Sequence, residues 1–181
     1  FIPSYGYQKD KGKIILKRFI MSIENKFEKR TSIEQVEESN SFAPKFDSNG
    51  LIPVVTTDYL SGEVLMQGYM NAESFSLTID LGEAVYYSRS RKQIWHKGKT
   101  SGLVQIVKEI RIDDDQDCVW LRVEVKGGAS CHVGYRSCFY RSVPFSAQLK
   151  GKEKIELKFE ENDKVFDPLK VYGDAPNPTK L

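Results

Sequence analysis

Cys131 and Cys138 stand seven positions apart, with His132 directly after the first. Thiolate and imidazole are the donors that zinc selects. Upstream of them lies a second candidate, the acidic run DDDQD from Asp113 to Asp117. In an extended segment Asp113, Asp115 and Asp117 would project from one face and converge on a hard cation such as magnesium or calcium, while Asp114 points the other way. The opening D-x-D-x-D also fits a calcium-binding helix–loop–helix. That reading fails because Cys118 takes the position where glycine is wanted and a strand-like alternation follows. A third candidate is SRSRKQIWHKGKTSG, Ser88 to Gly102, which interleaves Arg89, Arg91, Lys92, Lys97 and Lys99 with Trp95 and two glycines. Such a loop can hold phosphates with its cations and backbone amides and stack Trp95 on a base or ribose.

Each candidate has a plainer alternative: two structural cysteines, a solvated acidic turn, a flexible basic surface loop. Gly127, Gly128 and Gly134 permit tight turns around the cysteines, and Arg136 and Arg141 add positive charge. An open zinc site with three protein ligands and a water fits better than a closed structural one. Water on such a zinc reaches a pKa near about 7 and is ready to attack carbon.

The elements that must position these groups are mostly strands. LIPVVTT, a turn at Gly62 and EVLMQGYM predict a hairpin. Asn71 predicts a helix N-cap for AESFSLTIDL, with Phe75, Ile79 and Leu81 on one side and Gly82 ending it. AVYYS predicts a further strand before the basic loop. LVQIVKEIRI alternates, placing Val104, Ile106, Ile110 and Ile112 on one face, and Val119, Leu121, Val123 and Val125 repeat the pattern. The expectation is an α+β fold: a single strand-rich domain with an antiparallel or mixed sheet and one main helix. An N-terminal extension covers 1–47, the domain proper 48–145, and a hairpin with a proline-containing tail 146–181. Met21 to Phe46 predicts one surface helix, and the three prolines near the end predict an extended tail. Residues 1–20 differ in character and read as translated upstream sequence or residues added for expression, with a native basic arm as the alternative.

The chain has 181 residues, 27 Lys and Arg against 25 Asp and Glu, and a net charge of +2, which gives no case for nucleic-acid binding. Its apolar runs are far shorter than the roughly 20 residues of a membrane span. Three cysteines in a chain too large to need disulfide staples predict reduced thiols and a cytoplasmic setting.

Taken together, GLIPVV at Gly50, GEVLMQGYMN at Gly62, SRSRKQIWHKGKTSG at Ser88, the DxDxD run and GGASCHVGYRSCFYR at Gly127 resemble the phosphoribosyl-AMP cyclohydrolase family. The resemblance spans nearly all of Gly50 to Arg141, with several motifs in one order. It implies hydrolytic opening of the adenine ring between N1 and C6, in histidine biosynthesis, to a phosphoribosylformimino-AICAR nucleotide. It also implies Zn2+ and Mg2+ as cofactors and an intertwined homodimer with active sites at the subunit interface. Carried over, Cys131 and Cys138 are zinc ligands, Asp113, Asp115 and Asp117 hold magnesium, and His132 is the general acid or base. Arg89, Arg91, Trp95, Lys97 and Ser101 bind the nucleotide, and His96 is a loop residue.

One position departs from the family. A third zinc cysteine belongs inside the acidic run, donated across the dimer, and here it is Asp114. Carboxylate can ligate zinc, giving a harder site of weaker affinity. Cys118 is the other repair, but it lies four positions on, roughly 13 Å along an extended strand. The segment after the domain is too short for the helical pyrophosphohydrolase domain sometimes fused to this enzyme, so one activity is expected. Two other readings stay open: a zinc hydrolase or deaminase of another purine nucleotide, and a noncatalytic or altered-metal relative.

Overall fold

The computed structural model describes residues 26–151, 153–175, 177 and 179; the reading of residues 1–20 lies outside them. The elements in chain order are α1 (Ile33–Glu38), β1 (Ile52–Asp58), β2 (Val64–Met70), α2 (Ala72–Leu81), β3 (Val85–Ser88), β4 (Gln93–His96), β5 (Gln105–Ile112), β6 (Val119–Val125), β7 (Arg141–Ser142), a 3-10 turn at Ser146–Leu149, β8 (Lys158–Phe159) and α3 (Pro168–Tyr172).

β1 and β2 form the expected hairpin, in register from Ile52 opposite Met70 to Thr56 opposite Met66. Asp58 closes it by accepting hydrogen bonds from Ser61 N at 2.8 Å and Leu60 N at 3.1 Å. β6 lies parallel to β1 and antiparallel to β5, giving a mixed four-stranded sheet in the order β2-β1-β6-β5. Ile52, Val54, Val119, Leu121 and Val123 are fully buried on its inner face, each contributing about 1.5–3 kcal/mol by leaving water. The β3–β4 ribbon and α2 cover that face, and Phe75 and Tyr86 fill the space between. Gly68 in β2 seats the Tyr86 ring: a Cβ there would lie 3.0 Å from it.

The α+β architecture with a mixed sheet agrees with the sequence, as do the Asn71 cap on α2 and Gly82 in the left-handed conformation at its end. Four details differ. β5 carries an irregularity between Val107 and Glu109, which shifts the register and swaps faces. Val107, Ile110 and Ile112 therefore pack on the core while Ile106 pairs with Glu124. On α2, Ile79 and Leu81 are exposed; the helix buries Ser74, Phe75, Ser76 and Thr78 instead. Thr78 Oγ1 accepts from Val85 N at 3.0 Å, so the helix uses a hydroxyl to satisfy the incoming strand. Of the helix predicted over Met21 to Phe46, residues 21–25 lie outside the described residues; in the rest only α1 is α-helical, because Ser39 and the buried Gln116 side chain take the Gln35, Val36 and Ser41 carbonyls. The tail is not wholly extended: Asp167 caps α3 and Pro168 sits in its first turn, where a missing N–H costs nothing.

Candidate metal and nucleotide site

Cys131 and Cys138 lie on a loop of turns that leaves the end of β6 and folds back against β2. Ser130 N donates to Arg136 O at 2.9 Å and Cys131 N to Tyr135 O at 3.1 Å, closing the loop on itself. Cys138 N then donates to Leu65 O at 2.7 Å, and Ser137 Oγ to Val64 O at 2.6 Å, tying it to the sheet. All three cysteines are free, with Cys131 buried and Cys138 exposed. The neighbouring thiols act on each other: Cys138 holds Cys131 down to about 6, while Cys131 and burial push Cys138 up, and Lys97 nearby favours the thiolate of both. One negative charge on the pair is thus easy and a second requires a cation.

Lys97 is 4 % exposed and donates to Ser130 O at 2.7 Å. Burial lowers its pKa, while Cys138 and Cys131 oppose that shift. Beneath it runs a buried polar chain: Thr56 Oγ1 to Tyr86 Oη at 2.7 Å, Tyr86 Oη to Gln105 Oε1 at 2.7 Å, Gln105 Nε2 to Ser130 Oγ at 3.1 Å. The chain ends one residue before Cys131. His132 has its Nε2 buried with no hydrogen-bond partner among the described residues. Burial pushes its pKa down, with Asn177 opposing and Lys97 adding to the shift. The loop therefore offers two thiols of the kind zinc selects and, next to Cys131 in sequence, an imidazole whose unpartnered Nε2 can handle a proton.

The acidic run forms the β5–β6 turn. Gln116, at φ +58, reverses the chain, and Asp113 Oδ1 accepts from Asp117 N at 2.8 Å and Cys118 N at 2.9 Å. Asp113, Asp115 and Asp117 converge through this turn, not through strand alternation; one ligand atom from each lies within 4.8 Å of the others. Among the described residues they are the one such group of three, and Lys45 Nζ leans in at 3.7 Å from Asp115 and 3.3 Å from Asp117. Hard oxygens at that spacing fit magnesium. The buried Gln116 side chain clamps the N-terminal arm onto the turn, accepting from Ala43 N at 2.9 Å. A cleft of ≈ 420 Å³ opens between arm and turn, lined by Phe42, Ile112, Asp113 and Asp114 among others.

Asp114 is exposed at that cleft and Cys118 half-buried beside it. Neither forms a three-ligand group with Cys131 and Cys138 within the chain. The reason is topological: the acidic turn enters β6 and the cysteine loop leaves it, so seven residues of strand, about 20 Å at ~3.3 Å per residue, separate the two junctions.

The predicted basic loop is partly strand, since β4 pairs with β3 and His96, at its end, bonds Glu83 at 2.7 Å. Arg89 stacks over Tyr69 at 4.0 Å and Arg91 lies 5.7 Å from the Trp95 ring; both are exposed. Ser101 Oγ accepts from Leu103 N at 3.3 Å. Arg136 is ion-paired with Glu63, and Arg141 lies 4.9 Å over Tyr140. The sequence reading missed Lys45, Gln116 and Ser130, none of which sits in a pattern that announces a metal or nucleotide. Only the glutamine inside an acidic run hinted at a turn.

A model of the phosphoribosyl-AMP cyclohydrolase family matches residues 66–140. The phosphoribosyl-AMP cyclohydrolase of Rhodopseudomonas palustris strain HaA2 is 51 % identical over 142 residues, 78 % of this chain and 93 % of that protein. That of Rhizobium leguminosarum bv. trifolii strain WSM2304 is 50 % identical over 139 residues, 76 % of this chain and 89 % of that protein. With half of the aligned residues identical along most of both chains, and with the thiol loop inside the matched region, the protein belongs to the phosphoribosyl-AMP cyclohydrolase family.

Proposed function

We propose that this protein opens the adenine ring of phosphoribosyl-AMP, in histidine biosynthesis, at a site built from two copies of the chain. In the reaction a water oxygen adds to C6, the C6–N1 bond breaks, N1 takes a proton and C6 ends as a carboxamide carbon. Cys131 and Cys138 hold zinc, which supplies a Lewis-acid centre that makes water nucleophilic at neutral pH. Asp113, Asp115 and Asp117 hold magnesium, whose charge offsets that of the substrate phosphates.

His132 carries the proton from water toward N1, and its unpartnered Nε2 is the atom available for that work. A neutral imidazole can accept it, and the desolvation that lowers its pKa also makes the imidazolium ready to release it. Lys97 sits beside the thiols and offsets their charge. Arg89 and Arg91 face solvent, where they take phosphate oxygens, with Trp95 behind them to stack on the nucleotide and Ser101 at the far end of the loop.

The observation that carries the two-copy site is the incomplete thiol pair: two thiols on one loop, no third ligand among the described residues of the same chain to complete a group, and the carboxylates beyond the opposite end of β6. Large apolar groups around the thiol loop also remain uncovered, with Phe139 57 % and Phe159 50 % exposed. A second copy would cover them and bring its acidic turn, with Asp114, to the first copy's thiols. No helix among the described residues is long and apolar enough to cross a membrane, and the three unpaired thiols suit a reducing cytoplasm.

The test is purification with zinc and magnesium, followed by the ultraviolet change as phosphoribosyl-AMP is opened. Turnover lost on chelation and in His132→Ala is expected. Full turnover in His132→Ala would remove that residue from the chemistry.

A further inference from the structure

The thiol loop is held from outside as well as from the sheet, by a segment that lies beyond the 66–140 family match. Glu161 accepts two backbone hydrogen bonds, Arg136 N to Oε2 at 2.8 Å and Ser137 N to Oε1 at 3.0 Å. Both amides belong to the residues just before Cys138. On either side of this clamp, Glu160 N donates to Tyr140 O at 2.9 Å and Val165 N to Gly134 O at 2.8 Å. The contact at Gly134 leaves no room for a side chain: φ is +103 and a Cβ would lie 2.5 Å from Phe166 O. Tyr135 stacks on Tyr140 with centroids 4.0 Å apart, Phe159 packs against both, and Lys164 Nζ lies 5.8 Å from the Tyr135 ring. The loop from Gly134 to Tyr140 thus meets the segment 159–166 along its length.

The geometry points to this segment as a strap that sets the spacing of the two thiols, with Glu161 as the positioning residue for the metal site. The inference rests on the zinc reading above. The loop has no regular secondary structure of its own around the thiols. Two amides left without acceptors would let Arg136 and Ser137 reorient, and Cys138 with them. A carboxylate is suited to the task because its two oxygens serve two neighbouring N–H groups at once; a glutamine offers one such acceptor. Groups that orient metal ligands without touching the metal typically hold a 10- to 100-fold share of its affinity.

The experiment is a zinc competition titration on the full-length protein carrying Glu161→Gln or Glu161→Ala, with the spectrum of the cobalt-loaded form recorded in parallel. Zinc affinity is expected to fall roughly tenfold or more for Glu161→Ala and by a smaller factor for Glu161→Gln. The thiolate-to-cobalt absorption should broaden or weaken in both. Glu160→Gln is the control: among the described residues its carboxylate accepts from Ser142 and Lys158 and not from the thiol loop, so affinity and spectrum should stay as in wild type. If Glu161→Ala fails to fold, Glu161→Gln decides. Wild-type zinc affinity and an unaltered cobalt spectrum in Glu161→Gln would overturn the strap alone. A wild-type protein that binds no zinc at its thiols would overturn the strap together with the metal reading beneath it.

Discussion

Tyr86→Phe removes one buried oxygen from beneath the thiol loop, and its cost can be worked from the contacts. Tyr86 is 1 % exposed; Thr56 and Gln105, bonded to its hydroxyl at 2.7 Å each, are fully buried. The substitution loses two hydrogen bonds of about 1 kcal/mol each and leaves the Gln105 carbonyl oxygen without its donor, a further ~1–3 kcal/mol. A destabilisation of about 3–5 kcal/mol is expected, or roughly 6–20 °C in Tm for a chain of this size. The effect should also reach the metal, because Gln105 is what holds the Ser130 hydroxyl beside Cys131. Urea unfolding of chelator-treated protein measures the first quantity free of metal linkage, and zinc competition the second. Thr56→Val breaks only the first bond, so it should cost less and leave zinc affinity nearly unchanged. A loss under about 1 kcal/mol in Tyr86→Phe, with wild-type zinc affinity, would refute the argument that this chain positions the loop.

Asp115→Asn should raise the magnesium concentration needed for half-maximal turnover at least roughly tenfold while zinc content stays constant, since it removes one hard ligand and no soft one; equal loss of both metals by elemental analysis would contradict separate sites. Asp114→Cys should tighten zinc, by restoring a thiolate at the departed position; unchanged affinity would count against Asp114 as the third ligand. Asp58 is held below its usual 3.8 mainly by the Ser61 amide. Its stabilisation is therefore fully present above that value and fades as pH falls through the lower folded value, so Asp58→Asn should flatten the acid limb of the urea-midpoint profile and converge with wild type at low pH.

Much of the sheet was legible because hydrophobic alternation reports which face of a strand is buried. It worked for Val119, Leu121 and Val123, where the strand is regular. It failed on β5, where one bulge reversed the parity and sent Ile106 outward, since a bulge leaves no signature in a run of alternating residues. α2 misled for a different reason: Thr78 is buried because its hydroxyl serves Val85, a partner that exists only once the chain has folded. The proposed metal ligands were picked out as chemistry, from Cys, His and Asp at those spacings, and among them the structure brings Asp113, Asp115 and Asp117 together. Their support was not legible. Gln116, Ser130 and Glu161 are ordinary polar residues whose importance comes from the carbonyls and amides they meet across the fold. The inward turn of Lys97 was equally hidden, because in sequence it is one more cation in a basic loop.

If one copy's thiol loop works with another copy's acidic turn, mixing two variants broken in different halves of the site restores activity. Cys131→Ser is expected to be inactive alone, and Asp115→Asn inactive when assayed at magnesium well below its raised requirement. Co-refolded in equal amounts, half the dimers should be mixed, and each mixed dimer should contain one site with both halves intact, restoring about a quarter of wild-type turnover. No recovery in verified mixed dimers would mean that each site is built from a single chain, contrary to this account.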